Sequence, residues 1–85
     1  MRIVWRDEAV VDYLGAIDWY EERQPGLGQL LRGAVRKAEA RIAAFPLSCQ
    51  LLERDFRGCL LHKFPFQLVY RVEADVIRVY ALFHC

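Results

Sequence analysis

Between Phe64 and His84 the chain reads FPFQLVYRVEADVIRVYALFH, with apolar residues in alternation on either side of one charged break at Glu73, Ala74 and Asp75. A period of two on both sides of a short polar break predicts two strands folded back on each other as a β-hairpin. With the turn centred between Ala74 and Asp75, Phe66 faces Phe83, Leu68 faces Ala81, Tyr70 faces Val79 and Val72 faces Ile77, which makes one face wholly apolar. The other face carries Gln67, Val69, Arg71 and Glu73 against Val76, Arg78, Tyr80, Leu82 and His84. A slip of one residue would set Arg78 opposite Tyr70 and break the apolar face, so the pattern selects its own register.

Upstream the period changes. Arg2 to Trp5 is a short alternating run and predicts a first strand. Asp7 then offers an N-cap, and Val10, Leu14 and Ile17, widened by Tyr13 and Tyr20, recur at helical spacing and predict a helix from about Glu8 to Arg23. Gln24-Pro25-Gly26 stops it, because proline lacks a backbone donor and glycine tolerates the reversal. Leu27, Leu31, Ala34, Val35, Ala38, Ile42 and Phe45 form the stripe of a second helix ending at Pro46, with Arg32, Arg36, Lys37 and Arg41 off it. Leu47 to Asp55 reads as an exposed connector, and Phe56 to Lys63 as another strand. Helices separated by so short a link pack as an antiparallel pair. The expected fold is a two-layer α+β domain spanning residues 1–85, ordered β-α-α-β-β-β, with the helix pair on the apolar face of a mainly antiparallel four-stranded sheet.

Composition adds bounds. At 85 residues, 55% of them hydrophobic, the chain has enough apolar material to argue against disorder, and this content fits either a well-filled core or an apolar surface kept for a partner. Twelve Lys and Arg against eleven Asp and Glu give a formal charge of +1, which does not advertise nucleic-acid binding. Cys49, Cys59 and Cys85 leave one over from any pairing and read as reduced thiols of a cytoplasmic protein. Met1 to Trp5 is followed at once by charge, and no apolar run reaches the roughly 18 residues a membrane span requires, so neither a signal peptide nor a membrane association is expected.

The chemistry centres on the hairpin's second face. Arg71 and Arg78 fall opposite each other, an arrangement that is unfavourable across two strands unless an anion joins them. That anion is either a ligand or Glu73, which lies diagonal to Arg78. Tyr80 and His84 are expected on the same face, with Arg57 and Lys63 on the neighbouring strand, so Arg57, Lys63, Arg71, Arg78, Tyr80 and His84 are the candidates for gripping a phosphate or an acidic protein segment. His62 and His84 titrate near neutrality but lack partner motifs. Cys59-x-x-His62 with His84-Cys85 has the residue types of a zinc site, yet strand alternation sets the ligands on different faces and about two strand spacings apart, so no metal is expected. Trp19 and Tyr20 read as helix-packing residues. No P-loop, GxGxxG, HExxH or Ser/His/Asp pattern occurs, and no cofactor is expected.

The run WYEERQPGLGQLL at the first helix end, AAFP closing the second helix, and HKFPFQLVYRVEADVIRVYALFH together resemble the RelE/ParE superfamily, the toxins of type II toxin-antitoxin modules. The resemblance covers nearly the whole chain and is most specific in the hairpin. It implies a compact cytoplasmic toxin held in a hetero-oligomer by a cognate antitoxin. RelE-like members cut mRNA on the ribosome with basic residues on the open sheet face; ParE-like members inhibit DNA gyrase by protein contact. If the chain were a nuclease, Arg71, Arg78 and His84 would carry the reaction. It departs from that pattern at Gln67, where an arginine is usual, at Gly58 and Leu60, about where lysines are usual, and in stopping at Cys85 before the usual terminal Arg and Tyr. The resemblance therefore favours the ParE-like branch, with a ribosome-dependent endoribonuclease, or a truncated toxin that retains only antitoxin binding, as alternatives.

Overall fold

The structure, a computed structural model, describes Met1–Cys85. Seven elements follow in order: β1 (Arg2–Trp5), α1 (Asp7–Arg23), α2 (Leu27–Ala44), β2 (Gln50–Leu51), β3 (Arg57–Leu60), β4 (Phe66–Glu73) and β5 (Val76–His84). The sheet order is β1-β5-β4-β3-β2, with β1 parallel to β5 and every other pairing antiparallel. The two helices cover one face, as the alternation predicts, and the opposite face is open. The sheet has five strands where the sequence predicts four. Gln50 and Leu51, inside the expected connector, pair with Gly58 and Arg57; two residues are too few to display a period.

The core lies between the helix hairpin and the sheet. Leu31, Ile42, Leu68, Tyr70, Ile77 and Val79 are fully buried, and each sits where the alternation or the helical stripe places it. In α1 the stripe is rotated from its predicted position. Ala9 and Ile17 are buried, with Tyr13, Ala16 and Tyr20 packed against the core, while Val10 and Leu14 are exposed. Val10, Val11 and Leu14 make a second apolar face on this helix, so hydrophobicity alone does not identify the inward side. Phe45, expected at the end of the α2 stripe, lies beyond the helix and is 66% exposed. Asp7 opens α1 instead of capping it: the cap position is Arg6, which makes no side-chain cap bond, and Asp7 and Glu8 place negative charge in the first turn.

A few polar contacts lock the layers. Glu21 on α1 accepts from the backbone N–H groups of Gly26 (2.9 Å) and Gly28 (3.0 Å), satisfying donors at the start of α2 that lack helical partners. The indole Nε1 of Trp5 donates to Glu39 at 2.8 Å and joins β1 to α2. The Tyr70 hydroxyl donates to the Pro46 carbonyl at 2.6 Å, fixing the exit of α2 above the central strand. Beside it Cys49 and Cys59 are buried free thiols, and burial pushes the Cys59 thiol up to about 12.

Near the turn the hairpin register is the predicted one: Tyr70 opposes Val79, Arg71 opposes Arg78, and Val72 opposes Ile77. Beyond Val79 it differs. Val69 pairs with Ala81, leaving Tyr80 as an extra residue in β5. This β-bulge reverses the facing of every later side chain. Leu82, expected outside, is buried at 5% exposure, whereas Phe83, expected in the core, is 56% exposed.

Candidate functional site

The open face holds a compact cluster at the turn end of β4 and β5. Arg71, Glu73, Arg78 and Tyr80 all project there because they occupy alternate positions up to the bulge. Glu73 Oε1 accepts from Arg78 Nε at 2.8 Å. Its Oε2 accepts from Arg71 Nε at 3.0 Å, from Arg71 Nη2 at 2.6 Å and from the Tyr80 hydroxyl. Arg71 Nη2 also donates to the Tyr80 oxygen at 3.0 Å, and Nη1 lies 3.8 Å from Asp55. The Phe56 ring meets the Tyr80 ring edge to face at 5.0 Å, and the Arg6 guanidinium lies 4.9 Å from the Tyr80 ring centroid.

The electrostatics follow from that carboxylate. The Tyr80 hydroxyl, then Arg78 and Arg71, hold the Glu73 carboxyl down at about 2, well below its ordinary value. The same contact with Glu73 raises the Tyr80 phenol. The facing arginines that would repel one another are thus bridged by Glu73. These shifts move the Glu73 carboxyl and the Tyr80 phenol away from neutrality, a poor arrangement for general acid–base work near pH 7. Because the folded Glu73 carboxyl titrates below the unfolded one, its contribution to stability is complete above about pH 4.5 and is lost as pH falls towards 2. The thermal advantage of the wild-type chain over Glu73→Gln should therefore be present at pH 6 and shrink through that acidic window, as read by melting temperature against pH.

The other candidates lie elsewhere. Arg57 pairs with Tyr70 on the helix side of β3 and donates to the carbonyls of Leu47 (3.1 Å) and Cys49 (2.9 Å), tying down the connector. Lys63 and His62 are exposed in the β3–β4 loop and, with Lys37, rim a groove of about 510 Å³ floored by Leu27, Leu30 and Phe64. His84 does not share the Tyr80 face. The bulge turns it to the helix side, where its ring meets Phe66 at 5.1 Å. There it lines a groove of about 620 Å³ between α1 and the end of β5, with Ala16, Trp19, Tyr20 and Phe83. No group of three or more His, Cys, Asp or Glu side chains is placed to hold a metal ion. Sequence reasoning does not find Phe56, Arg6 or Asp55 as members of the cluster, because they come from the loop before β3 and the turn after β1 and carry no periodic signal.

The open face extends beyond the cluster as an apolar strip. Leu60, Gln67, Val69 and Phe83 share this side through the β3–β4–β5 register, and Leu60 is 62% exposed. Leu52 packs over Gly58, where a Cβ would lie 3.0 Å from its Cδ1.

A two-helix hairpin on one face of a mainly antiparallel sheet, with the opposite face open and carrying an arginine–tyrosine cluster, defines a RelE/ParE-type toxin fold. The family model described as "ParE toxin of type II toxin-antitoxin system, parDE" matches residues 3–85. The chain belongs to this ParE toxin family. Among solved structures it is similar to one described as the chromosomal ParDE TA system from P. aeruginosa, with a TM-score of 0.74 and 18% identity over 99% of this chain and 95% of that one, a likeness of fold. Among curated protein sequences, none matches significantly. No helix is long and apolar enough to cross a membrane.

Proposed function

We propose that the chain is the toxin of a type II toxin-antitoxin module, acting in the cytoplasm by inhibiting DNA gyrase through protein contact and neutralised by a cognate antitoxin in a hetero-oligomer. The observation that carries the choice of mechanism is the bridging of Arg71 and Arg78 by Glu73. An RNA-cleaving site needs free cations at the scissile phosphate and a proton donor or acceptor beside them. Here both arginines are joined to a carboxylate and His84 is on the other side of the sheet. What remains on the open face is arginine, tyrosine and phenylalanine beside exposed Leu60 and Phe83, the composition of a protein-binding hot spot. The groove between α1 and the end of β5 suits an antitoxin segment. It is mostly apolar and borders a stretch of β5, Ala81 to His84, that β1 does not pair with.

The test is a supercoiling assay with purified gyrase and the purified chain. Supercoiling falls with increasing toxin and recovers when the co-expressed antitoxin is added. Unchanged supercoiling at saturating protein rejects the gyrase reading. Mapping of mRNA ends in a translation reaction addresses the ribonuclease alternative, for which no cleavage is expected.

A further inference from the structure

Glu73 does more than balance charge. Two guanidinium groups and a phenol converge on its carboxylate, with Arg78 on one oxygen and Arg71 and Tyr80 on the other. Two arginines and a hydroxyl around one anion form the donor set that grips a phosphate or carboxylate arriving from outside. In this chain the anion comes from the same hairpin, at the last position of β4.

We infer that Glu73 is a specificity-determining residue of the open face: its carboxylate fills the seat between Arg71 and Arg78 that a nucleic-acid phosphate would take, and so closes this face to RNA and DNA. The inference does not depend on which protein the toxin inhibits.

The seat is at the surface, with side-chain exposures of 33% for Arg71, 36% for Arg78 and 23% for Glu73, so an external phosphate could reach it were Glu73 absent. Asp55 beside Arg71, and Glu8 paired with Arg6 at 3.0 Å, place further negative charge against the cations around the seat. An incoming phosphate therefore meets a seat whose inward donors, Arg71 Nε and Nη2 and Arg78 Nε, are already held by Glu73, and a carboxylate that repels it. Acidification within the range of living cells does not vacate the seat, because the Glu73 carboxyl is held well below its ordinary value and gains a proton only as pH falls towards about 2.

The experiment compares the wild-type chain with Glu73→Ala and with Asp75→Ala, which removes the same charge at the exposed tip of the turn. The probe is a fluorescein-labelled single-stranded RNA oligonucleotide followed by anisotropy across a salt series. Glu73→Ala is expected to bind about tenfold more tightly than wild type at low salt. Its plot of log affinity against log salt should be steeper by about 0.7 to 1.4, the increment of one to two phosphates. Asp75→Ala should stay within about twofold of wild type, and Arg78→Ala added to Glu73→Ala should return affinity to the wild-type level. Glu73→Ala binding no more tightly than Asp75→Ala overturns the inference. A measurement on the wild-type chain decides the matter even if the variant does not fold. In NMR titration with inorganic phosphate, the Nε–H signals of Arg71 and Arg78 are expected to stay in place, and their movement would overturn the inference equally.

Discussion

Leu68→Ala should cost the fold about 3 to 4 kcal/mol and lower the melting temperature by on the order of 15 °C or more. Leu68 is at 0% exposure in the central strand, between Cys59 on β3 and Leu82 on β5, beneath the helix hairpin. Truncation removes three carbons from a site whose walls are strands on either side and helices above, so little collapse can fill the space. Against a total stability of roughly 5 to 15 kcal/mol for a domain, that is a large fraction. Leu60→Ala is the matched control. It removes the same atoms from the neighbouring strand but on the open face, where Leu60 is 62% exposed, and should change stability by no more than about 0.5 kcal/mol. Equal losses from the two changes would mean that the sheet does not have one covered and one open side. Thermal melts by circular dichroism suffice.

The second large effect is expected at the helix crossing. A Cβ on Gly28 would lie 2.9 Å from Glu21 Oε1 and 3.2 Å from both Cγ2 and the carbonyl oxygen of Ile17. The glutamate could swing away, but it would then leave the N–H groups of Gly26 and Gly28 that it now accepts from, and the Ile17 backbone cannot retreat without moving α1. Gly28→Val should therefore destabilise by about 2 to 3 kcal/mol, within the range for overpacked contacts, and lower the melting temperature by roughly 10 °C or more. Gly15→Ala should act in the opposite direction. Nothing lies within 4 Å of its Cβ position, it sits inside α1, and alanine in a helix gains about 0.5 to 1 kcal/mol over glycine. Opposite signs from two glycines in one hairpin would show that the close approach of the helices, and not helix propensity, sets the requirement at Gly28.

The hairpin register near its turn is legible in the sequence because Tyr70, Val72, Ile77 and Val79 can be placed together only one way. The bulge is not, because Ala81, Leu82 and Phe83 are all apolar. Either Leu82 or Phe83 could face the core as far as the pattern shows, and only the fit against the helices selects Leu82. Through that one extra residue His84 leaves the expected cluster, so the largest error in the candidate site descends from a local irregularity in backbone pairing. The same kind of ambiguity turns α1. Val10 and Leu14 match a helical stripe as well as Ala9, Tyr13, Ala16 and Ile17 do, and small Ala9 and Ala16 let the helix approach the sheet where larger side chains would hold it off. By contrast, the possibility that Glu73 neutralises the arginine pair follows from its diagonal placement. Tyr80 falls on that face by the same alternation, but that its hydroxyl donates to Glu73 is not visible in the pattern.

The pairing of β1 with β5 has a consequence for how the protein is made. Arg2 to Trp5 are synthesised before every other element of the fold, yet their only strand partner, Val76 to Val79, is synthesised some 70 residues later. At roughly 5 to 20 residues per second, the interval is about 4 to 15 s. Through that time α1 and α2 can form their hairpin but have no β4–β5 surface to lie on, so the open face and its arginine–tyrosine cluster cannot yet exist. Translation thus separates the birth of the chain from the assembly of its face, and a partner present during synthesis would meet the helices before it could meet the completed sheet.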